Sequence, residues 1–483
     1  MSKITYRKEN NMCEKSLFHI KDAFIYISGY EWGPGVSKVI VSLSHMYEKA
    51  IKDGASIMTR GKERTITNIY LSDEKGNQVT GNSTFVTLEL AIVFDSRVSP
   101  FYYNLATYQN QWVSKYVVQA TFHVTANGKD QTVSFQKDLI NNRICPDTEQ
   151  FNNRGNFSGK YKNTFTNEEE LLTLQYAAYE PKQLKKDNQK NPLIIWIHGQ
   201  GEGGTDIDIA LLGNEVTALA RSKIQSYFTT PNGENGAYVL VIQCQTYWMD
   251  GGDGENSNGD VISRYTEIFI DMVKKYFTEN PDVDTNRVYI GGCSNGGYMT
   301  MNMLIQYPQY WAASYMVCEG YPFMIFKRDE DGNYISEGNS SCPTAYEISD
   351  QRFFTDEKIN SIKHIPMWFI QSHDDTIVIG SRYSFSSYRE LLKKGAKNCW
   401  YSYFKNVKGV DIPGMKYFGH WSWIPLFNDQ VTTVQNREKI MNSNDNDKFG
   451  LVPSNNGGGF QEAVDDKGTY KSIFAWLNAQ VKK

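Results

Sequence analysis

Gly292-Cys293-Ser294-Asn295-Gly296, continued by Gly297, is the segment that most restricts the fold of this chain. Residues 287–290 before it read as a strand. Residues 298–307 after it are compatible with a helix that Pro308 stops. A serine between strand and helix, with glycines two positions before and two after, is the layout that lifts a hydroxyl above a sheet. Such a serine needs a strained backbone, and the glycines leave room where the helix crosses the strand. The competing reading is a glycine-rich turn whose serine is incidental.

The surroundings suit a parallel sheet. Apolar runs at 193–197, 238–242, 288–290 and 367–370 match strands buried on both faces. Between them Ile262, Tyr265, Phe269, Met272 and Tyr276 recur at steps of three and four, the period of one helix face. Alternating strand and helix predicts a sheet covered on both sides. The chain differs before residue 150. Short alternating strands are expected at 24–28, 36–43, 66–71, 85–94 and 117–124, with a possible helical turn or two at 46–52. Turn signals at 33–35, 75–77 and 127–129 separate them. That spacing predicts an all-β sandwich of immunoglobulin type. The expected division is a β-sandwich at 17–145, a linker or first part of the second domain at 146–168, and the catalytic domain at 169–483.

The length of 483 residues fits two or three domains. A net charge of −4 and a pI near 6.1 give no reason to expect nucleic acid or an anionic membrane surface as partner. No run approaches the roughly 18 apolar residues of a membrane span. The first 16 residues are polar and do not read as a secretory signal, so the chain is expected to be intracellular or a mature, exported or cell-surface form. The seven cysteines form no CxxC pair or zinc pattern. Cys244 and Cys293 read as buried free thiols, and Cys318 and Cys342 as a possible pair. No cofactor and no metal is expected.

The run Ile195-Trp196-Ile197-His198-Gly199-Gln200-Gly201-Glu202-Gly203-Gly204 closes a buried strand upstream of Ser294. Acyl transfer builds negative charge on a carbonyl oxygen, so fixed donors are needed there. Asn295 N–H is one candidate. Gln200 N–H is the favoured second, with Gly201 as alternative. His198 is expected to hold the loop backbone. Gly199, Gly201 and Gly204 also fit GxGxxG, but no acidic ribose ligand follows and no P-loop lysine is present.

In this architecture the acid and base follow the serine in the chain. His364, His373 and His420 are the histidines after Ser294. His364 precedes the strand at 367–370, at the wrong end. His373 lies two residues before the best acid. His420 remains, in a loop between Phe418 and Trp423. Of the adjacent acids, Asp375 is preferred over Asp374 because Asp375-x-x-Val378 has the usual form of this turn. The whole site then lies between His198 and His420, so the β half is expected to be dispensable for the chemistry.

His198-Gly199-Gln200-Gly201, Gly292 to Gly297, Asp375-Thr376-Ile377-Val378 and Gly419-His420-x-Ser422-Trp423 together resemble the polyhydroxybutyrate-depolymerase-like carboxylesterases. Gly29-Tyr30-Glu31-Trp32-Gly33-Pro34-Gly35 is similar to the entry of their branch with an N-terminal immunoglobulin-like domain. Tyr247-Trp248-Met249-Asp250 is similar to the stretch after their fourth hydrolase strand. The resemblance implies an immunoglobulin-like sandwich followed by an α/β-hydrolase fold. It also implies a bacterial, often exported serine esterase of short acyl esters, with Ser294, Asp375 and His420 as triad.

Weaker features complete the reading. Trp248, Trp421 and Trp423 are candidates for an acyl or alcohol pocket. The acidic glycine-rich loop at 250–260 matches no standard calcium loop. The long segment from Glu319 to Lys363 lies where such folds carry caps. A homo-oligomer through the N-terminal domain is an expectation. Two other functions fit parts of the pattern: a serine peptidase of prolyl-oligopeptidase type, and a surface-binding protein with an inactive hydrolase half.

Overall fold

The computed structural model describes residues 20–163, 165–186, 189–228, 236–253, 257–337, 345–445 and 448–482. Cys342 and positions 254–256 of the acidic loop lie outside them, as do the first 16 residues. Two compact units are present. The first takes residues up to Ile27, Val36–Pro100 and Val113–Ile144; the second takes Ser28–Gly35, Phe101–Trp112 and Cys145–Lys483.

The first unit is an immunoglobulin-like pair of sheets. One contains the strands Ile20–Tyr30, Gly33–Tyr47, Ser83–Leu90 and Ile66–Ser72, and the other Lys129–Asp138, Val117–Ala126 and Lys49–Thr59. Val39, Val41, Val86, Leu88, Val118, Phe122, Val124 and Val133 are among its buried positions. The chain at 46–52 is strand rather than helical turn. Two strands have no clear alternation in the sequence. Lys129–Asp138 buries only Val133, and Lys49–Thr59 shifts register between Ile51 and Ser56. The Gly33-Pro34-Gly35 signal opens a strand; the turn itself is at Glu31-Trp32.

The second unit is built on an eight-stranded sheet. Its strands are β1 (Asn153–Lys162), β2 (Glu169–Tyr179), β3 (Asn191–Ile197), β4 (Tyr238–Cys244), β5 (Val283–Cys293), β6 (Ala313–Val317), β7 (Met367–Ser372) and β8 (Cys399–Phe404). The order is β1-β2-β4-β3-β5-β6-β7-β8. β3 to β8 run parallel and β2 antiparallel to its neighbours, the mixed sheet of an α/β-hydrolase fold. Positions 153–162, within the expected linker, form the edge strand β1, whose burial alternates as one-face packing requires. β3, β4, β7 and β8 are buried along their full length, which explains their continuous apolar runs. The helix α1 (Thr266–Glu279) buries Phe269, Met272 and Tyr276. The apolar period overreaches its start: Ile262 is exposed and Tyr265 is the cap residue.

Cys244, Cys293 and Cys318 are buried free thiols. The insert after β6 forms a small hairpin, Met324–Phe326 against Ile348–Arg352. Its Phe326 packs with Val378 and Tyr383, so the insert rests beside the turn that carries Asp375. No helix among the described residues is long and apolar enough to cross a membrane.

Candidate active site

Ser294 lies between β5 and the helix α2 (Asn295–Gln306). It holds φ +56° and ψ −113°, a conformation that costs a non-glycine residue on the order of 1–3 kcal/mol. Three backbone hydrogen bonds fix it. Its N–H donates to Val317 O at 2.9 Å, and its carbonyl accepts from Tyr298 N–H at 3.0 Å and Gly320 N–H at 3.2 Å. Ser294 is half-buried in a run of buried neighbours, so its side chain reaches the surface of the sheet edge. A Cβ on Gly292 would stand 2.4 Å from Ile197 O, and one on Gly296 2.1 Å from the same oxygen. Only glycine lets strand and helix cross β3 this closely.

The loop after β3 is held from behind. His198 Nδ1 donates to Gly199 O at 2.5 Å, and its Nε2 accepts Cys244 N–H at 3.2 Å. Burial lowers its pKa to about 4, so the ring stays neutral and serves as a brace. Gln200–Glu202 makes a single 3-10 turn. The Asn295 side chain accepts Trp248 N–H, tying the start of α2 to the chain after β4. Among the described residues neither Gln200 N–H nor Asn295 N–H is spent on an acceptor. Both are available as donors.

Asp375 stands in the turn after β7, its side chain 1% exposed. Oδ1 accepts Ile377 N–H at 2.9 Å and Val378 N–H at 3.0 Å, while Oδ2 accepts Gln371 Nε2 at 3.0 Å. His420 Nδ1 lies 3.1 Å from Oδ1 and 3.0 Å from Oδ2. Every acceptor position on this carboxylate is oriented, and the imidazole is the partner facing outward. Asp374 turns away. It accepts Ser372 Oγ–H at 2.6 Å and pairs with Lys416 at 3.0 Å. His373 bonds Tyr403 at 2.9 Å, and His364 is exposed at the opposite end of β7.

Strand neighbours bring these groups to one edge. Ser294 N–H is bound to the end of β6, and Cys318 N–H donates to Ile370 O of β7 at 2.8 Å. Gly419 lets the histidine loop touch the acid turn, since a Cβ there would stand 2.2 Å from Asp374 O. The Ser294 hydroxyl makes no hydrogen bond to His420 in this conformation. Catalytic contacts of this kind often tighten only in a substrate complex. Cys318, Asp375 and His420 place ligand atoms within 4.8 Å of one another. Burial holds the Cys318 thiol protonated, and the other two are bonded to each other, so the group is not arranged as a metal site.

The tryptophans divide. Trp248 is fully buried, with ring contacts to His198, Tyr265 and Phe269; it is a core residue and not a pocket wall. Trp423 is 5% exposed and stacks edge-on with His420 at 6.4 Å. Trp421 is half-buried beside Phe418. In the acidic loop Asp250 is engaged by Thr246 and Arg264, and Asp260 by Tyr334 and Arg328. Those carboxylates already have partners.

Two segments from the N-terminal third belong to this unit, and the sequence reading did not assign them to it. Glu31 accepts from Asp411 N–H and the Asn428 amide, and its carbonyl accepts Trp423 Nε1 at 3.3 Å. The hairpin Phe101–Asn104 with Gln109–Trp112 reaches the loop after β3. Asn110 Nδ2 donates to Glu202 Oε1 at 2.9 Å, and Trp112 Nε1 to Asp206 Oδ2 at 2.8 Å. Burial raises the Glu202 pKa to about 7. No periodicity marks these contacts, which span 92 and 94 positions for the hairpin and 380 to 397 for Glu31.

Comparison with known proteins agrees with the two-part architecture. The esterase Ig-like N-terminal domain family matches residues 25–132, and the prolyl oligopeptidase family matches residues 264–406. A thermostable esterase of known structure is 20% identical over 85% of this chain and 97% of its own, with a TM-score of 0.61. A ferulic acid esterase is 12% identical over 52% of this chain and 89% of its own, with a TM-score of 0.33. An acylaminoacyl peptidase from Pyrococcus horikoshii is 15% identical over 77% of this chain and 50% of its own, with a TM-score of 0.34. No curated protein gives a significant match.

Proposed function

We propose that this chain, a serine hydrolase of esterase or peptidase type, is a carboxylesterase that works through Ser294, Asp375 and His420. The observation that carries the reading is the oriented Asp375–His420 pair at the sheet edge where Ser294 holds its strained turn. With Asp375 ionised and accepting, His420 carries its proton on Nδ1 and leaves Nε2 as the base. Nε2 takes the Ser294 proton as Oγ attacks the ester carbonyl. The oxyanion is met by the N–H groups of Asn295 and Gln200. His420 returns the proton to the leaving alcohol, giving an acyl-serine. Water then repeats the sequence and releases the acid.

Short-chain or aromatic acyl groups are the substrate class, with Trp421 at the rim and the β-hairpin insert beside the acid turn as contact surfaces. A peptidase is the second reading, because the prolyl oligopeptidase family matches residues 264–406. The esterase reading is favoured by the N-terminal part, a two-sheet sandwich matching an esterase domain. Rates on a chain-length series of aryl esters, ferulate included, are to be compared with an aminoacyl-proline amide. Hydrolysis of the esters with at most trace amide cleavage is expected. The reverse preference would replace the esterase reading by the peptidase one.

A further inference from the structure

Glu202 lies in the loop after β3 and is 4% exposed. Its Oε1 accepts Asn110 Nδ2 at 2.9 Å. Its main chain is held too: Glu202 O accepts Gln243 Nε2 at 2.8 Å. A Cβ on Gly199 would come within 3.0 Å of Glu202 Oε2, and one on Gly213 within 2.4 Å of its Cγ, so the side chain is tightly enclosed. Asn110 is equally placed. It comes from a hairpin that folds with the catalytic unit and is anchored on both sides, by Gln109 on Thr246 O at 3.2 Å and by Trp112 on Asp206. A Cβ on Gly201 would meet Asn110 Nδ2 at 3.1 Å and the Tyr103 ring at 3.4 Å. The hairpin therefore lies directly against the turn that offers Gln200 N–H.

We propose that Asn110 and Glu202 are positioning residues of the active site: Asn110 holds the Glu202 carboxyl, and that bond ties the oxyanion loop to the hairpin packed against it. This rests on the esterase reading above. The Asn110–Glu202 bond joins the hairpin to the loop that offers Gln200 N–H, and Gly201 of that loop lies against the Asn110 amide.

The test uses the full chain and 4-nitrophenyl acetate, with fluorophosphonate labelling as a second readout. Asn110→Ala is expected to lower kcat by about tenfold with a much smaller change in KM, because a loosened oxyanion donor is lost mainly in the transition state. Its melting temperature should stay close to wild type. Glu202→Ala removes the acceptor and is expected to lower kcat similarly, while Glu202→Gln, which keeps a carbonyl oxygen for Asn110, is expected to recover most of that loss. If Asn110→Ala fails to fold, the comparison of Glu202→Ala with Glu202→Gln decides. A folded Asn110→Ala with wild-type kcat, or Glu202→Ala and Glu202→Gln with equal kcat, would overturn the proposal. Wild-type protein that neither labels nor hydrolyses the ester would instead overturn the hydrolase reading, and this inference with it.

Discussion

Replacing Asp375 by asparagine puts the acid assignment at risk in a way its neighbour cannot share. Asp375 Oδ1 receives two backbone N–H groups at 2.9 and 3.0 Å, and Oδ2 receives Gln371 Nε2 at 3.0 Å. An asparagine must turn its NH2 toward one of these donor sets. The backbone pair is fixed, so the NH2 takes the Oδ2 place and points a proton at His420 Nδ1. His420 must then carry its own proton on Nε2, where it cannot accept from Ser294. Loss of the correct tautomer costs about 10⁴ in kcat in a serine protease with the same constellation. That is roughly 5.5 kcal/mol of barrier. Asp374→Asn removes only an ion pair with the exposed Lys416, worth about 0–1 kcal/mol, and should change kcat by less than about threefold. Initial rates on an aryl acetate at pH 7 and pH 9, with melting curves for both variants, give the ratio. A deeper loss in Asp374→Asn would move the acid by one residue. Small losses in both would place the acid elsewhere.

Further expectations concern the histidines, a buried acid and a glycine. His420→Ala should lose activity nearly as deeply as removal of the serine, while His373→Ala, which gives up one bond to Tyr403, should retain most of its rate; equal losses would contradict the elimination. Glu319 is buried with Oε1 unpartnered, and burial raises its pKa to about 8. Its folded-state pKa lies above the unfolded value, so its contribution is full below about pH 4.5 and is lost as pH rises through 8. Glu319→Gln should therefore raise Tm at pH 8.5 relative to wild type by roughly a few degrees and not at pH 5; an equal shift at both would refute the account. Gly296→Ala sets a Cβ 2.1 Å from Ile197 O and should abolish soluble or active protein; a fully active variant would mean that β3 and α2 do not cross this closely.

The elements around Ser294 were legible because each obeys a local rule. Glycine spacing, a both-face-buried strand and a proline stop are all sequence-near signals. The same holds for the Asp375-x-x-Val378 turn, where the acid caps the two N–H groups that follow it. What escaped the sequence is long-range polar contact. Asn110 meets Glu202, and Glu31 meets the histidine loop, with nothing in either segment to mark a partner. For the same reason the chain between His198 and His420 looked self-sufficient, although residues 28–35 and 101–112 pack with it. Trp248 was misplaced because an aromatic after a sheet strand carries no sign of which way its ring turns. It turns into the core, onto Phe269.

The central claim is that Ser294 is the nucleophile. The direct measurement is labelling of the full chain by a fluorophosphonate, followed by mass mapping of the modified peptide, with Ser294→Ala as control. The account predicts one adduct per chain on Ser294, none in Ser294→Ala, and an ester hydrolysis rate in that variant lower by on the order of 10⁶ with the fold intact. Stoichiometric labelling on another residue, or a well-folded Ser294→Ala retaining more than about a hundredth of the wild-type rate, would contradict it.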